Sequence, residues 1–178
     1  MQKKTFLITG GSGGIGSALA HKLIKTSYTP LIVYKSNREK AEDLAKAVDG
    51  EAIELNLIDL NAVDRVVDNL ASSHAVLAGV VLGASAPLKI TSFGHISEQD
   101  MENQWRVNVL GHQRLLAGLV RKVFSKRKQG IVVGILSDAM GTTEKANSTS
   151  LGAYITAKYG LQGLLAVLKA EHRWLDVI

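Results

Sequence analysis

The stretch Thr9-Gly10-Gly11-Ser12-Gly13-Gly14-Ile15-Gly16 stands between an apolar run and an amphipathic segment. The run 6–8 predicts a buried strand, and the apolar residues between 18 and 24 recur at helical spacing. A turn from strand to helix directs free N–H groups and the positive end of the helix dipole towards an anion. The stretch therefore predicts a cradle for the pyrophosphate of a dinucleotide. The alternative is a glycine-rich turn that holds no ligand.

The composition indicates one globular domain over residues 1–178, with 46% apolar residues to form its core. No apolar run has the roughly 18 residues that a membrane span needs, and Lys3-Lys4 lead directly into the first strand without a cleavable signal. We therefore expect a cytoplasmic protein without a membrane partner. The chain has no cysteine, and its five histidines form no ligand pattern, so we expect no metal.

The net charge of +5 includes one basic cluster, which consists of Arg121, Lys122, Lys126, Arg127 and Lys128. Cations suit the C-terminus of a helix, so the cluster is either a solvated helix end or a surface for an acidic partner. Few aromatic residues lie nearby to stack on bases, and we expect no nucleic acid.

Apolar runs alternate with amphipathic segments, a pattern that predicts an α/β protein with a Rossmann-type, doubly wound parallel sheet and helices on both faces. The expected strand order is 3-2-1-4-5, with the start of a sixth strand. Pro30 is expected to mark a turn, and Ser97, three residues before Asp100, is expected to cap a long helix. The predicted strands are 6–8, 31–34, 52–55, 79–82, 131–136 and 175–178; the predicted helices are 14–26, 39–48, one from 60, 97–123 and 151–174.

The second strand ends at Tyr34, followed by Lys35, Ser36, Asn37 and Arg38. In dinucleotide folds an acidic residue about here accepts from the ribose 2′-hydroxyl and repels a 2′-phosphate. This chain has cations and polar donors instead, so we expect Tyr34, Lys35 and Ser36 to contact NADP(H), with NAD(H) as the alternative cofactor. The competing interpretation is that Lys35 and Arg38 are simply exposed on a loop.

Four polar residues are candidates for chemistry. Tyr154 and Lys158 lie one helical turn apart on the same face, although such a pair also occurs by chance. Ser137 follows the fifth strand, at the sheet edge where ligands gather. Asn108 interrupts an apolar helix, and its residue type alone favours either an exposed side chain or a satisfied core amide.

The pattern Thr-Gly-x-x-x-Gly-x-Gly, followed in order by Asn108, Ser137 and Tyr154-x-x-x-Lys158, resembles that of the short-chain dehydrogenase/reductases over essentially the whole chain. The resemblance implies that Tyr154 is the acid that protonates the substrate oxygen and that Ser137 hydrogen-bonds this oxygen. It implies that Lys158 binds the nicotinamide ribose and favours the phenolate, and that Asn108 holds a water linking Lys158 to solvent.

The same resemblance places the adenine near Asn56 and Leu57 and the nicotinamide ribose near Gly83 and Ala84. Two departures stand out. Asn56 replaces an aspartate that is usual in relatives, and Leu82-Gly83-Ala84-Ser85 replaces Asn-Asn-Ala-Gly.

The pattern is most similar to 3-oxoacyl-[acyl-carrier-protein] reductases, which implies a carbonyl or alcohol substrate or an acyl-carrier-protein thioester. Another ketone, a sugar or a steroid is the alternative substrate, and a non-catalytic, dinucleotide-binding regulatory protein is the alternative function. Relatives form dimers or tetramers, so we expect a homo-oligomer. They also continue beyond the position of Ile178, so we expect the chain to be incomplete in its sixth strand.

Overall fold

The computed structural model describes residues 4–142 and 144–178. Its centre is a parallel sheet in the order β3-β2-β1-β4-β5-β6. The strands are β1 (Lys4–Thr9), β2 (Tyr28–Tyr34), β3 (Glu51–Glu54), β4 (Val76–Leu82), β5 (Gly130–Gly134) and β6 (Leu175–Val177). The predicted Rossmann-type fold and strand order are confirmed, and the sixth strand pairs at the outer edge of β5.

The helices are α1 (Gly14–Leu23), α2 (Arg38–Ala47), α3 (Leu60–Ser72), α4 (Glu98–Trp105), α5 (His112–Lys122) and α6 (Gly152–Glu171). Between α4 and α5 the chain continues as a π-helical segment, Arg106–Gly111. The long helix predicted for 97–123 is therefore a helical run whose middle turn is widened. Within the described ranges, no helix has the length and apolar character needed to cross a bilayer.

Apolar side chains alternate along the strands and form one cluster on each face of the sheet. Phe6, Ile8 and Ile32 face α1 and α2. Leu7, Leu31 and Val33 face the other way and share a cluster with residues of α3, α5 and α6. Both faces of the sheet are therefore covered, and because all strand pairs are parallel, the carboxyl ends of the strands meet at one edge.

The prediction of a turn at Pro30 is wrong, because Pro30 lies inside β2 and is in register with Phe6 of β1. Pairing of β2 with β3 begins only at Leu31, so Pro30 precedes the point at which β2 has strands on both sides. Proline is tolerated where one side of a strand has no ladder to donate to.

Side chains cap three of the helices that begin at the carboxyl edge or beside it. Asn37 accepts from Lys40 N at the start of α2, and Asp59 accepts from Ala62 N at the start of α3. Ser97 and Asp100 form the expected capping box on α4. The start of α1 has neither a side-chain cap nor an acidic residue in its first turn.

Candidate functional site

A cavity of about 970 Å³ opens at the carboxyl ends of β1, β2 and β4. Its wall combines parts of the chain that are far apart in sequence: the glycine stretch, the end of β2, the residues after β3 and β4, and the first turn of α6. The predicted site residues on this wall are Gly10, Ser12, Gly13, Tyr34, Lys35, Ser36, Asn56, Leu57, Gly83, Ala84 and Tyr154. The structure therefore brings most of the predicted cofactor residues to one cavity together with Tyr154.

The glycine stretch is folded tightly against the turn after β4. Gly10 has a φ of +67°, and a Cβ there would lie 3.0 Å from the backbone nitrogen of Ala84. A Cβ on Gly16 would lie 2.5 Å from Gly10 O, so Gly16 lets α1 pack closely on the loop. Gly14 has open space around its Cβ position. Thr9 is buried, Ile15 is exposed, and neither of them nor Gly14 or Gly16 is on the cavity wall.

The start of α1 is suited to an anion. Its N-cap, Gly13, lies on the cavity wall, and within residues 4–142 and 144–178 no side chain caps the start of this helix. Free N–H groups and the helix dipole together attract phosphate at such a position. The residues present therefore fit a bound pyrophosphate.

The two cations after β2 differ in their surroundings. Lys35 lines the cavity. Arg38 is off the wall and donates to Glu54 Oε2 at 2.9 Å, and this bond raises the pKa of the guanidinium. Tyr34 also donates to Glu54. The structure therefore leaves Lys35 facing the cavity and gives Arg38 an acidic partner.

Tyr154 lies in the first turn of α6, half-buried and on the cavity wall. Lys158 is 2% exposed, lies off the wall, and has its Nζ 5.6 Å from the centroid of the Tyr154 ring. Its ammonium donates to Ile135 O at 2.9 Å. Burial lowers the pKa of Lys158 to about 8, because the charged form is poorly solvated there.

Asn108 is fully buried within the π-helical segment. Its Nδ2 donates to Gln104 O and to Gln104 Oε1, at 3.0 and 2.9 Å, and Gln104 Nε2 donates onward to Pro87 O. These bonds fix the orientation of both amides and leave Asn108 Oδ1 without a hydrogen-bond partner among the residues that the structure describes. Asn108 is therefore not an exposed side chain, and it is not a fully satisfied core amide. A buried acceptor in a π-helical turn is typical of functional sites.

Ser137 begins the turn after β5, where its Oγ accepts from Ala139 N at 3.2 Å. It is not on the cavity wall. The residues that the resemblance assigns to chemistry are thus only partly brought together. Tyr154 and Lys158 are neighbours, whereas Asn108 bonds to Gln104 and Ser137 bonds to Ala139.

Sequence reasoning missed Gln104 and His112, both buried and both bonded to Asn108. The signal was present, because positions 104, 108 and 112 are polar at four-residue spacing in a largely apolar helix. It also missed the loop after β4, which lines the cavity from Ser85 to Lys89. Thr91 of this loop bridges to Leu151, just before α6.

The basic cluster from Arg121 to Lys128 begins in the last turn of α5 and continues into the connection to β5. It precedes β5 and is therefore at the amino edge of the parallel sheet, whereas the cavity is at the carboxyl edge. Lys122 contacts Asp68, and Lys128 stacks over the Trp174 ring. This placement gives no support for a partner that docks on the cluster and reaches the cavity. Among residues 4–142 and 144–178, no group of acidic, histidine or cysteine side chains could hold a metal ion.

Comparison with known proteins gives matches over nearly the whole chain. The sequence model of the family described as short chain dehydrogenase matches residues 4–177. The 3-oxoacyl-[acyl-carrier-protein] reductase FabG of Aggregatibacter actinomycetemcomitans is 28% identical over 175 residues, which are 94% of this chain and 69% of that protein. The first three curated relatives are matched over 57% to 69% of their own length.

Solved structures share the fold. A short-chain dehydrogenase from Streptomyces avermitilis has a TM-score of 0.87 at 24% identity, covering 98% of this chain and 63% of that one. An actinorhodin polyketide ketoreductase solved with NADPH has a TM-score of 0.87 at 15% identity, covering 99% of this chain and 70% of that one. At these identities the likeness shows the fold alone.

Proposed function

Because the chain belongs to the short-chain dehydrogenase family, we propose that its cavity binds a nicotinamide dinucleotide and that hydride passes between this cofactor and a carbonyl or alcohol substrate. One observation carries the proposal: a single cavity connects the uncapped start of α1 with Tyr154. Gly10, Ser12 and Gly13 would hold the pyrophosphate, and Gly83 and Ala84 would face the nicotinamide ribose. Asn56 and Leu57 would contact the adenine.

The bound nicotinamide would supply hydride to the carbonyl carbon in reduction. The Tyr154 phenol then donates its proton to the carbonyl oxygen, which would otherwise carry the negative charge. Lys158 has its Nζ 5.6 Å from the centroid of this ring and would bind the nicotinamide ribose from its buried position beside Tyr154.

Asn108 would help to return a proton to Tyr154 after this residue has protonated the substrate. Its Oδ1 is a buried acceptor with no donor in the described part of the chain, and Gln104 holds the amide so that this oxygen cannot exchange places with the nitrogen. An ordered water that donates a hydrogen bond to this oxygen would connect Lys158 with solvent. Ser137 would hydrogen-bond the substrate oxygen after its hydroxyl turns from Ala139 N.

For the cofactor we propose a preference for NADP(H) over NAD(H), read by Lys35. The side chain is exposed and lines the cavity beside Ser36. Glu54 weakens this preference, because it pairs with Arg38 and so takes up the second cation after β2. The preference therefore rests on one cation.

For the substrate we propose a 3-oxoacyl thioester, which is the substrate class in the name of the FabG relative. Other ketones, sugars and steroids are the alternatives. The position of Ser137 off the wall favours a second candidate function, a dinucleotide-binding regulatory protein without turnover. The two functions differ in whether the bound cofactor is consumed.

Oxidation of NADPH, followed by its absorbance, tests the proposal with the purified chain and a panel of carbonyl compounds that includes a 3-oxoacyl thioester. Turnover with at least one carbonyl, and none without it, is expected. Saturable NADPH binding without turnover on any carbonyl would favour the regulatory function.

We also propose that the chain forms a homo-oligomer through the face of α5 and α6. An apolar groove of about 540 Å³ lies between these helices, and Trp105, Val109, Leu164 and Val167 line it. Val167 is 56% exposed. Light scattering after gel filtration is expected to give at least twice the monomer mass, and Val167→Glu is expected to give a monomer. A monomeric wild-type chain would contradict this assembly.

A further inference from the structure

His112, the first residue of α5, is a fully buried imidazole that the proposed chemistry does not use. A buried imidazole destabilises a protein unless both ring nitrogens are hydrogen-bonded. Here both are. Nδ1 is 3.2 Å from Asn108 O, and Nε2 is 3.0 Å from Thr9 Oγ1.

The partners of the ring determine its tautomer. Asn108 O is a carbonyl oxygen and can only accept, so the proton lies on Nδ1. In the neutral ring Nε2 is then an acceptor. Thr9 Oγ1 already accepts from Gly83 N and Ala84 N, at 3.0 and 3.2 Å, which uses both lone pairs of the hydroxyl. Its own proton is therefore available for His112 Nε2.

A protonated ring would not fit these partners, because Nε2–H would face a hydroxyl oxygen whose lone pairs are taken. Val81 O, at 3.2 Å, is the other acceptor for the Thr9 proton and cannot accept it at the same time as Nε2. Burial lowers the pKa of His112 to about 4, and the charge of Lys158 acts in the same direction. The packing and the hydrogen bonds thus agree on a neutral ring.

The bond to Asn108 O compensates for the irregular helix. The backbone N–H of His112 bonds to Val109 O rather than to Asn108 O, its partner in a regular α-helix. The ring Nδ1–H supplies a donor to this carbonyl from the same residue. His112 therefore holds the π-helical turn that contains Asn108.

We propose that His112 is a positioning residue: its neutral, Nδ1-protonated ring links the Thr9-Gly83-Ala84 junction beside the glycine stretch to the π-helical turn that carries Asn108. Through Thr9 it fixes the backbone of Gly83 and Ala84 on the cavity wall. Through Asn108 O it fixes the buried amide. This inference rests on the proposed function for its effect on cofactor binding and turnover, but not for the state of the ring.

Nitrogen NMR of the 15N-histidine-labelled protein tests the ring directly, with a His112→Gln variant to assign the signal. The expected result is a pyrrole-type Nδ1 and a pyridine-type Nε2 that stay unchanged from pH 8 to pH 5. A ring protonated on Nε2, or one that titrates near pH 6.5, would overturn the inference. Neither result depends on whether the chain binds a cofactor.

Two substitutions each retain one of the two hydrogen bonds of the His112 ring, and so they separate the link to Asn108 from the link to Thr9. The amide of His112→Asn can reach Asn108 O but not Thr9, whereas that of His112→Gln can reach Thr9. We expect His112→Asn to weaken NADPH binding about fivefold with turnover at saturation retained, and His112→Gln to lower turnover about fivefold with NADPH affinity retained, each from one lost hydrogen bond. His112→Leu is expected to show both losses.

Equal NADPH affinity and turnover in wild type and a folded His112→Asn or His112→Gln variant would overturn the positioning role. If wild type itself binds no NADPH, the proposed function fails, and the NMR result still decides the state of the ring. Circular dichroism of each variant establishes that it is folded.

Discussion

The two ends of the cavity are built in different ways. At the α1 end the wall is backbone: Gly10 and Gly13 present peptide groups, and no side chain caps the helix. At the Tyr154 end the polar groups are buried side chains: Gln104 on the wall and Lys158 and Asn108 off it are all at most 4% exposed. The first end can attract an anion but has no group that transfers a proton. The second can move a proton but offers little backbone to a phosphate.

This difference predicts that substitutions at the two ends of the cavity have different effects. Changes at the α1 end should alter the affinity for cofactor, and changes at the Tyr154 end should alter the rate of turnover. The N-termini of the helices show how unusual the α1 end is. Helix α4 begins with a complete capping box, whereas α1 begins without one.

Tyr154→Phe should have the largest effect. It removes only the hydroxyl that donates the proton, so turnover should fall about 10²- to 10⁴-fold, the range typical of general acid catalysis. NADPH affinity, measured by calorimetry, should change little. Turnover close to that of wild type would contradict the role of Tyr154, and Tyr159→Phe, one residue beyond Lys158 on α6, serves as the control.

Gly14→Asp should weaken the binding of a phosphate at the α1 end of the cavity. The Cβ position is open, so the variant should fold, and an acid in the first turn should stabilise the helix by about 0.3–1 kcal/mol. The same charge should repel a phosphate by about 1–4 kcal/mol, and NADPH should bind more weakly. Gly14→Asn is the matched neutral control. Thermal unfolding and calorimetry should thus move in opposite directions, and unchanged affinity would mean that the phosphate lies elsewhere.

Lys35→Asp tests the proposed cofactor preference. A carboxylate at this position should repel the 2′-phosphate and accept from a 2′-hydroxyl, lowering the ratio of NADPH to NADH affinity by about tenfold, or ~1.4 kcal/mol. Lys35→Gln should give a smaller change. If the ratio is the same in all three proteins, another residue reads the 2′ position.

Ser97→Ala should have the smallest effect and should leave the cavity unchanged. The cap on α4 should be worth about 1 kcal/mol, which lowers the melting temperature by roughly 2–4 °C in a chain of this size. NADPH affinity should stay at the wild-type value. A loss of affinity would show that capping of α4 and cofactor binding are coupled.

The stability of the folded chain should depend on pH through His112. Its pKa is about 4 when folded, below the ordinary value of 6.5, so the unfolded chain binds more protons between these values. The contribution of the neutral His112 ring to the free energy of unfolding is therefore fully present above pH 6.5 and is lost as the pH falls towards 4. Denaturant unfolding should show this loss for wild type and a smaller one for His112→Gln; identical curves would contradict the burial of a neutral ring.

Sequence patterns were sufficient for the fold, because short apolar runs and capped helices are local signals. The glycine stretch and the capping box at Ser97 follow from such signals, and the strand order follows from the Rossmann-type topology that they indicate. Pro30 was misread because its place depends on where β3 begins to pair, which is not a local property. The cytoplasmic location stays a prediction.

The candidate site was readable only in part. The glycine stretch was located from its spacing, and the role of Tyr154, which rests on the family resemblance, stays a prediction. The pairing of Arg38 with Glu54 was not readable, because it depends on two strand ends that meet only in the folded sheet. The bonds of Asn108 to Gln104 and His112 depend on the widened helical turn, which residue propensities do not predict.

Whether the cavity binds a nicotinamide dinucleotide is decided by calorimetric titration of the purified chain with NADPH and with NADH, and of the Gly14→Asp and Ser97→Ala variants with NADPH. We expect one NADPH bound per chain, weaker binding of NADH, and an affinity reduced by Gly14→Asp but not by Ser97→Ala. Absence of saturable binding for both nucleotides, or equal affinity in Gly14→Asp and wild type, would contradict this expectation.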